Sequence, residues 1–222
     1  MQRKDIPNRL TMLRLVLAGA FFAVLQGYRY DGDPASPAWI LPVAVVLFIL
    51  AAATDALDGH LARRWDVVSK FGRIMDPFCD KILVLGAVIY LGSPRFLDPA
   101  AVAAGDWRTM ASGVYPWMVV LVLARELLVT GIRGEVEKMG IEFGANRVGK
   151  LKMVLQSVVV PVVLVIVMID PREQPWLGWI RDGLVYATVA VTVLSGWPYV
   201  RASAEAFRKK AGGEAGPDAG GG

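Results

Sequence analysis

The chain has 222 residues, 55% of them hydrophobic, and a mean hydropathy of +0.47, with several apolar runs long enough to cross a bilayer. That places it in the integral membrane class and excludes the usual reading of a soluble core. A formal charge of +4 then describes loops facing anionic headgroups and not a nucleic-acid partner.

Residues 1–10 read as a retained interfacial arm, basic through Arg3, Lys4 and Arg9 and without a signal-peptide cleavage pattern. Asn8 is a candidate cap, and the first span is expected from Thr11 to Tyr28. Arg14, one turn inside it, is read as snorkelling to headgroups in preference to leaning inward. A turn-rich loop from Arg29 to Pro37 leads to a second helix, Trp39 to Arg63. At 1.5 Å per residue it would measure roughly 37 Å against a hydrocarbon core of ~30 Å, so its last two turns, from Asp55 onward, should reach the interface.

After a short connection, Trp65 to Phe71, the third helix runs from Gly72 to Leu91 with its polar end first. A polar loop from Ser93 to Ser112 precedes a fourth span, Val114 to Gly131, and a charged connection, Gly134 to Arg147, precedes a fifth, Val148 to Ile169, in which Pro161 is expected to kink the helix. Trp176 to Tyr199 makes the sixth. The expectation is therefore an all-α protein with six transmembrane helices in a domain of residues 11–205, followed by a basic and then Gly-rich disordered tail, 206–222. Trp39, Trp117, Trp176, Trp179 and Trp197 fall near span ends and read as interfacial anchors.

Six spans put both termini on one side. That side receives 19 of the 24 Lys and Arg residues, leaving Arg29, Arg95, Arg108, Arg172 and Arg181 for the other. The bias orients the termini, and the acidic stretch from Asp55 to Asp80, towards the cytoplasm.

That acidic stretch is the chemical centre. Asp55, Asp58, Gly59 and Ala62 are spaced i, i+3, i+4, i+7 and share one helix face; Gly72, Asp76 and Asp80 recur every four residues on the next helix. Four carboxylates near lipid are too costly to be idle, and two divalent cations would balance them. All-oxygen ligation suits Mg²⁺ or Mn²⁺ and not zinc. Gly59 and Ala62 leave a groove for a flat, phosphate-bearing ligand, and Arg63 can hold a phosphate oxygen.

The pattern Asp55-x2-Asp58-Gly59-x2-Ala62-Arg63-x8-Gly72-x3-Asp76-x3-Asp80 resembles the signature of the CDP-alcohol phosphatidyltransferases at every fixed position. The segments IPNRLTMLRL, DPFCDK, ARELLVTGIRG and VGKLKMVLQ resemble the phosphatidylglycerophosphate synthase branch of that family, whose acceptor is glycerol 3-phosphate. The resemblance implies a six-helix, homodimeric membrane enzyme with two divalent cations, Mg²⁺ or Mn²⁺, CDP-diacylglycerol as donor and CMP as leaving group. It implies that Asp55, Asp58, Asp76 and Asp80 ligate metal, that Asp80 also acts as base, and that Asp58, Gly59, Ala62, Arg63 and Gly72 contact the donor nucleotide. Its setting would be the inner membrane of a bacterium, with the site facing the cytoplasm.

The acceptor's phosphate needs cations, and topology offers Arg125, Arg133, Lys150 and Lys152. The donor motif alone leaves the acceptor open to inositol phosphate, serine or phosphatidylglycerol. A divalent-cation transporter is the reading from another class, but the carboxylates cluster at one end of the spans and no inverted repeat is evident. Single Cys79 and His60 exclude an intramolecular disulfide and argue against a His-based zinc site; Cys79 reads as packing, His60 as a solvated interface residue. Asp66 is explained by the turn it sits in, and Glu126 is expected to pair with a cation structurally.

Overall fold

Eight α-helices and one 3-10 turn, Pro94–Phe96, make up the described chain: α1 Asp5–Leu25, α2 Ile40–Trp65, α3 Lys70–Leu91, α4 Pro99–Ala103, α5 Pro116–Lys138, α6 Arg147–Ile169, α7 Pro175–Leu194 and α8 Trp197–Gly213. The structure is a computed structural model. It describes the backbone of residues 5–30, 36–65, 70–138, 147–170, 172 and 174–213, and the side chains of 10–30, 36–54, 78–79, 81–136, 149, 151–170, 172 and 174–205. Six helices, α1, α2, α3, α5, α6 and α7, correspond to the six apolar runs.

Among the described residues, two stretches are long and apolar enough to cross a membrane, Leu151–Ile169 and Pro175–Glu205, while Leu10–Leu25, Ile40–Thr54 and Lys81–Leu91 are shorter apolar helices. Charge placed within the helix explains the shortfall in α5, whose sequence carries Arg125, Glu126, Arg133 and Glu135. Helix α4 lies outside the six runs, and the sixth, Trp176 to Tyr199, is broken between α7 and α8. Asp98 caps α4 by accepting from the amides of Ala100 (3.0 Å) and Ala101 (3.3 Å), with Pro99 at the first helical position. Helix α8 continues past residue 205 to Gly213.

Packing is built on α1. Its stripe of Ala18, Phe21 and Leu25 is buried against Ala44, Phe48 and Ala51 of α2, with Phe21 and Phe48 edge to face at 5.6 Å. Helix α3 adds Leu83, Ala87 and Leu91, and α6 adds Val160, Val163 and Leu164 to the same core. Gly86 permits the close approach of α1 to α3, since a Cβ there would lie 2.3 Å from Phe22 Cζ. The Phe22 ring stacks on Tyr90 at 5.5 Å, so Gly86→Ala must displace it; we expect a loss of about 1–3 kcal/mol, read from the unfolding midpoint in detergent. The outward faces are apolar, with Val46, Ile49, Val120, Leu127 and Val158 each at least half exposed.

The loops α1–α2, α3–α5 and α6–α7 meet at one end of the bundle. Tyr30 donates from its backbone amide to Arg95 O (2.8 Å) and from its hydroxyl to Asp170 Oδ1 (2.7 Å), and Arg172 both pairs with Asp170 (2.7 Å) and lies over the Tyr30 ring (4.9 Å). Deeper in, Arg181 is buried, paired with Asp182 (2.7 Å) and donating to Ala111 O (2.7 Å). Gly113 makes room for that pair: its φ is +69° and a Cβ would sit 2.8 Å from both Arg181 Nε and Asp182 Oδ1. Arg108 reaches Asp182 at 3.6 Å and stacks on Trp179 at 3.9 Å. Four of the five arginines assigned to the sparse side therefore gather here.

Asp170 closes α6 with φ at 60°, a conformation that Asp and Asn tolerate, so Asp170→Asn isolates the charge. The Arg172 guanidinium and the Tyr30 hydroxyl, working against partial burial, hold its carboxyl down to about 2 from 3.8. Burial, then the neighbouring carboxylate, pushes the Tyr30 hydroxyl up. Because the folded value is the depressed one, this clasp stabilises fully above 3.8 and is lost as pH falls through about 2. Thermal unfolding of Asp170→Asn should therefore differ from wild type by a constant amount between about pH 5 and 8, with the gap closing below about pH 3.

Candidate active site

Asp55, Asp58, Gly59, Ala62 and Arg63 fall in the last three turns of α2, and Gly72, Asp76 and Asp80 in the first three of α3. The backbone is helical through both stretches. Only residues 66–69 separate the two helices, so both stretches occupy one end of the bundle. The side chains of these eight residues, with those of His60 and Lys150, lie outside the described residues, as does Asp66 altogether.

The inner boundary of this acidic end is described. One turn before Asp55, Ala51 and Ala52 face a cavity of about 30 Å³ that is also lined by Leu83 and Val84 of α3, Ser157 of α6 and Arg14 of α1. Arg14 is 1% exposed. The reading of Arg14 as a snorkelling arginine is thus corrected: its side chain lies inside the bundle, between the turns of α2 and α3 that adjoin the carboxylates. The cause is periodicity, since positions 14, 18, 21 and 25 share the buried stripe of α1.

A second polar group sits on α5, α6 and α7. Glu126, buried, accepts at Oε1 from Arg125 Nη1 (2.7 Å) and from Lys152 Nζ. Arg125 Nη2 donates to Ser195 Oγ at the end of α7 (2.7 Å), and Gln156 donates to Thr192 Oγ1 (3.2 Å) below it. Glu126 therefore pairs with cations, as the sequence led us to expect. Of the four proposed acceptor ligands, the structure brings Arg125 and Lys152 together; Arg133 is exposed two turns further along α5. Ser195 carried no signal in the sequence.

Lys81 links the two groups. It immediately follows Asp80 on α3, and its Nζ donates to Thr130 Oγ1 of α5, which in turn donates to Glu126 O (2.6 Å). The turn of α3 bearing Asp80 is therefore held beside the turn of α5 bearing Glu126. Cys79 is buried, in keeping with a packing role, and the five anchor tryptophans are 50–67% exposed at helix ends. The helix turns that carry the four aspartates thus lie at the end of the bundle where Arg125, Glu126 and Lys152 meet.

Comparison with known proteins gives this arrangement a family. The model for CDP-alcohol phosphatidyltransferase matches residues 4–194. The chain is 32% identical over 210 residues to the CDP-diacylglycerol--glycerol-3-phosphate 3-phosphatidyltransferase of Bacillus subtilis, covering 92% of this chain and 97% of the relative. It is 32% identical over 232 residues to the protein of the same name from Cereibacter sphaeroides, covering 89% and 94%. With every fixed position of the signature present on α2 and α3 and the match running nearly from end to end, this chain belongs to the CDP-alcohol phosphatidyltransferase family.

Proposed function

We propose that this protein transfers the phosphatidyl group of CDP-diacylglycerol to glycerol 3-phosphate, yielding phosphatidylglycerophosphate and CMP. The observation that carries the reading is the near full-length match to two relatives named for that reaction. The gathering of Arg125 and Lys152 beside the acidic end of the bundle supports a phosphorylated acceptor.

Asp55, Asp58, Asp76 and Asp80 form an all-oxygen donor set that fits two hard divalent cations, Mg²⁺ or Mn²⁺. When bound, these supply Lewis acidity at the pyrophosphate and neutralise charge on departing CMP. In this reading Asp58, Gly59, Ala62 and Gly72 are assigned to the donor nucleotide, and Arg63 to one of its phosphate oxygens. Arg125, Arg133, Lys150 and Lys152 take the acceptor's phosphate, which orients its hydroxyl towards the donor. Asp80 accepts the hydroxyl proton as the oxygen attacks the diacylglycerol-linked phosphorus and the bond from that phosphorus to the CMP oxygen breaks.

The enzyme works in a membrane, in our reading through six spans made by α1, α2, α3, α5, α6 and α7, as a homodimer in the bacterial inner membrane. Both termini and the site face the cytoplasm. The Lys and Arg bias and the collection of sparse-side arginines at the end opposite the carboxylates support this orientation. An acceptor panel tests the function. Purified protein with labelled CDP-diacylglycerol should release CMP with glycerol 3-phosphate and not with serine, inositol phosphate or phosphatidylglycerol; turnover confined to one of the others would overturn it.

A further inference from the structure

The cluster around Glu126 has a fixed donor polarity. Ser195 Oγ spends its one proton on Thr192 O (2.7 Å), so only its lone pairs face Arg125 Nη2. Thr130 Oγ1 likewise spends its proton on Glu126 O and receives Lys81. Between these stands a single buried carboxylate oxygen that accepts from Arg125 of its own helix and Lys152 of α6. Two cations carried on different helices therefore converge on one oxygen. Arg125 Nε is buried and has no hydrogen-bond partner among the described residues, and Gly196 packs against the same stem, where a Cβ would lie 3.4 Å from Arg125 Cγ and 3.7 Å from Nε. A buried guanidinium with an unspent N–H suits an anion that brings its own oxygens.

We propose that Glu126 is a positioning residue for the acceptor: its carboxylate clamps Arg125 and Lys152, from two helices, into one preorganised receptor for a phosphate monoester dianion. This rests on the reading of those two cations as acceptor ligands. Without the carboxylate, two close and largely buried cations repel each other, and the arrangement that the acceptor needs is lost. A residue that merely stapled α5 to α6 would alter the unfolding midpoint and the active fraction. It would not alter the affinity for one substrate.

Steady-state kinetics of the full-length protein decide, with glycerol 3-phosphate and CDP-diacylglycerol varied independently and inorganic phosphate as competitor. We expect Glu126→Gln to raise KM for glycerol 3-phosphate at least about tenfold and Ki for phosphate in parallel, with KM for CDP-diacylglycerol within about twofold of wild type. Ser195→Ala, which keeps every charge and frees Arg125 from one anchor, should move the same two constants about threefold, and serves if Glu126→Gln does not fold. An unchanged KM for glycerol 3-phosphate in the folded variants overturns the proposal. So does a lowered one, which would mean that the carboxylate opposes the anion. Failure of the underlying functional reading shows separately, in the wild type, as turnover with a phosphate-free alcohol alone.

Discussion

Asp80→Asn is expected to lower kcat about a thousandfold or more, with helix content and unfolding midpoint near those of the wild type. The substitution keeps the shape of the side chain and removes its charge, and in our account that charge does two things: it ligates metal and accepts the acceptor's proton. Asn can do neither well, being neutral and a far weaker base. Asp80 lies on α3 directly before Lys81, whose bond to Thr130 holds that turn against α5, so the loss is one of chemistry and not of the helix packing. In the same account Asp76→Asn removes a proposed ligand only. It should also fall steeply, but with part of the activity regained at high Mg²⁺ or Mn²⁺. CMP release measured alongside thermal unfolding checks both, and wild-type turnover in Asp80→Asn refutes its assigned role.

Arg125→Ala is the second large effect, and it should act on the acceptor. Removing a charge-assisted donor to a phosphate is worth about 1.5–3 kcal/mol, which is roughly ten- to a hundredfold in KM for glycerol 3-phosphate. The variant also leaves Glu126 with Lys152 as its remaining partner in the cluster and Ser195 without its guanidinium. Arg133, exposed and further along α5, should cost less on substitution by Ala than Arg125. Equal KM values for glycerol 3-phosphate in wild type, Arg125→Ala and Lys150→Ala would place the acceptor's phosphate elsewhere.

The helices were legible because a run of apolar residues is a one-dimensional signal. The run from Trp39 to Arg63 became α2 at Ile40–Trp65, and that from Val148 to Ile169 became α6 at Arg147–Ile169. Helix α8 is hidden in the sequence because the apolar stretch Pro175–Glu205 runs across the break after α7, and the rest of α8 is mixed and basic. The helices that carry the proposed carboxylates were legible too, since Asp55 and Asp58 fall on α2 and Asp76 and Asp80 on α3. Pairings between helices were not: Lys152 finds Glu126 across 26 residues and Arg125 finds Ser195 across 70. Arg14 stands between these cases, because the periodicity that buries it was visible, but proximity to a span end argued for the surface. The Asp98-Pro99 cap of α4 is equally open to reading, within the polar stretch from Ser93 to Ser112.

The central claim is that one site on this chain joins a lipid-anchored nucleotide donor to a water-soluble phosphorylated acceptor, with divalent cations required. The most direct measurement follows labelled glycerol 3-phosphate into the lipid phase, with CMP counted in the same reaction, using purified protein first stripped with a chelator. Our account predicts no transfer until Mg²⁺ or Mn²⁺ is restored, then lipid-phase label and CMP appearing one for one, and only when CDP-diacylglycerol is present. CMP released without label entering the lipid, or transfer that survives chelation, would contradict it.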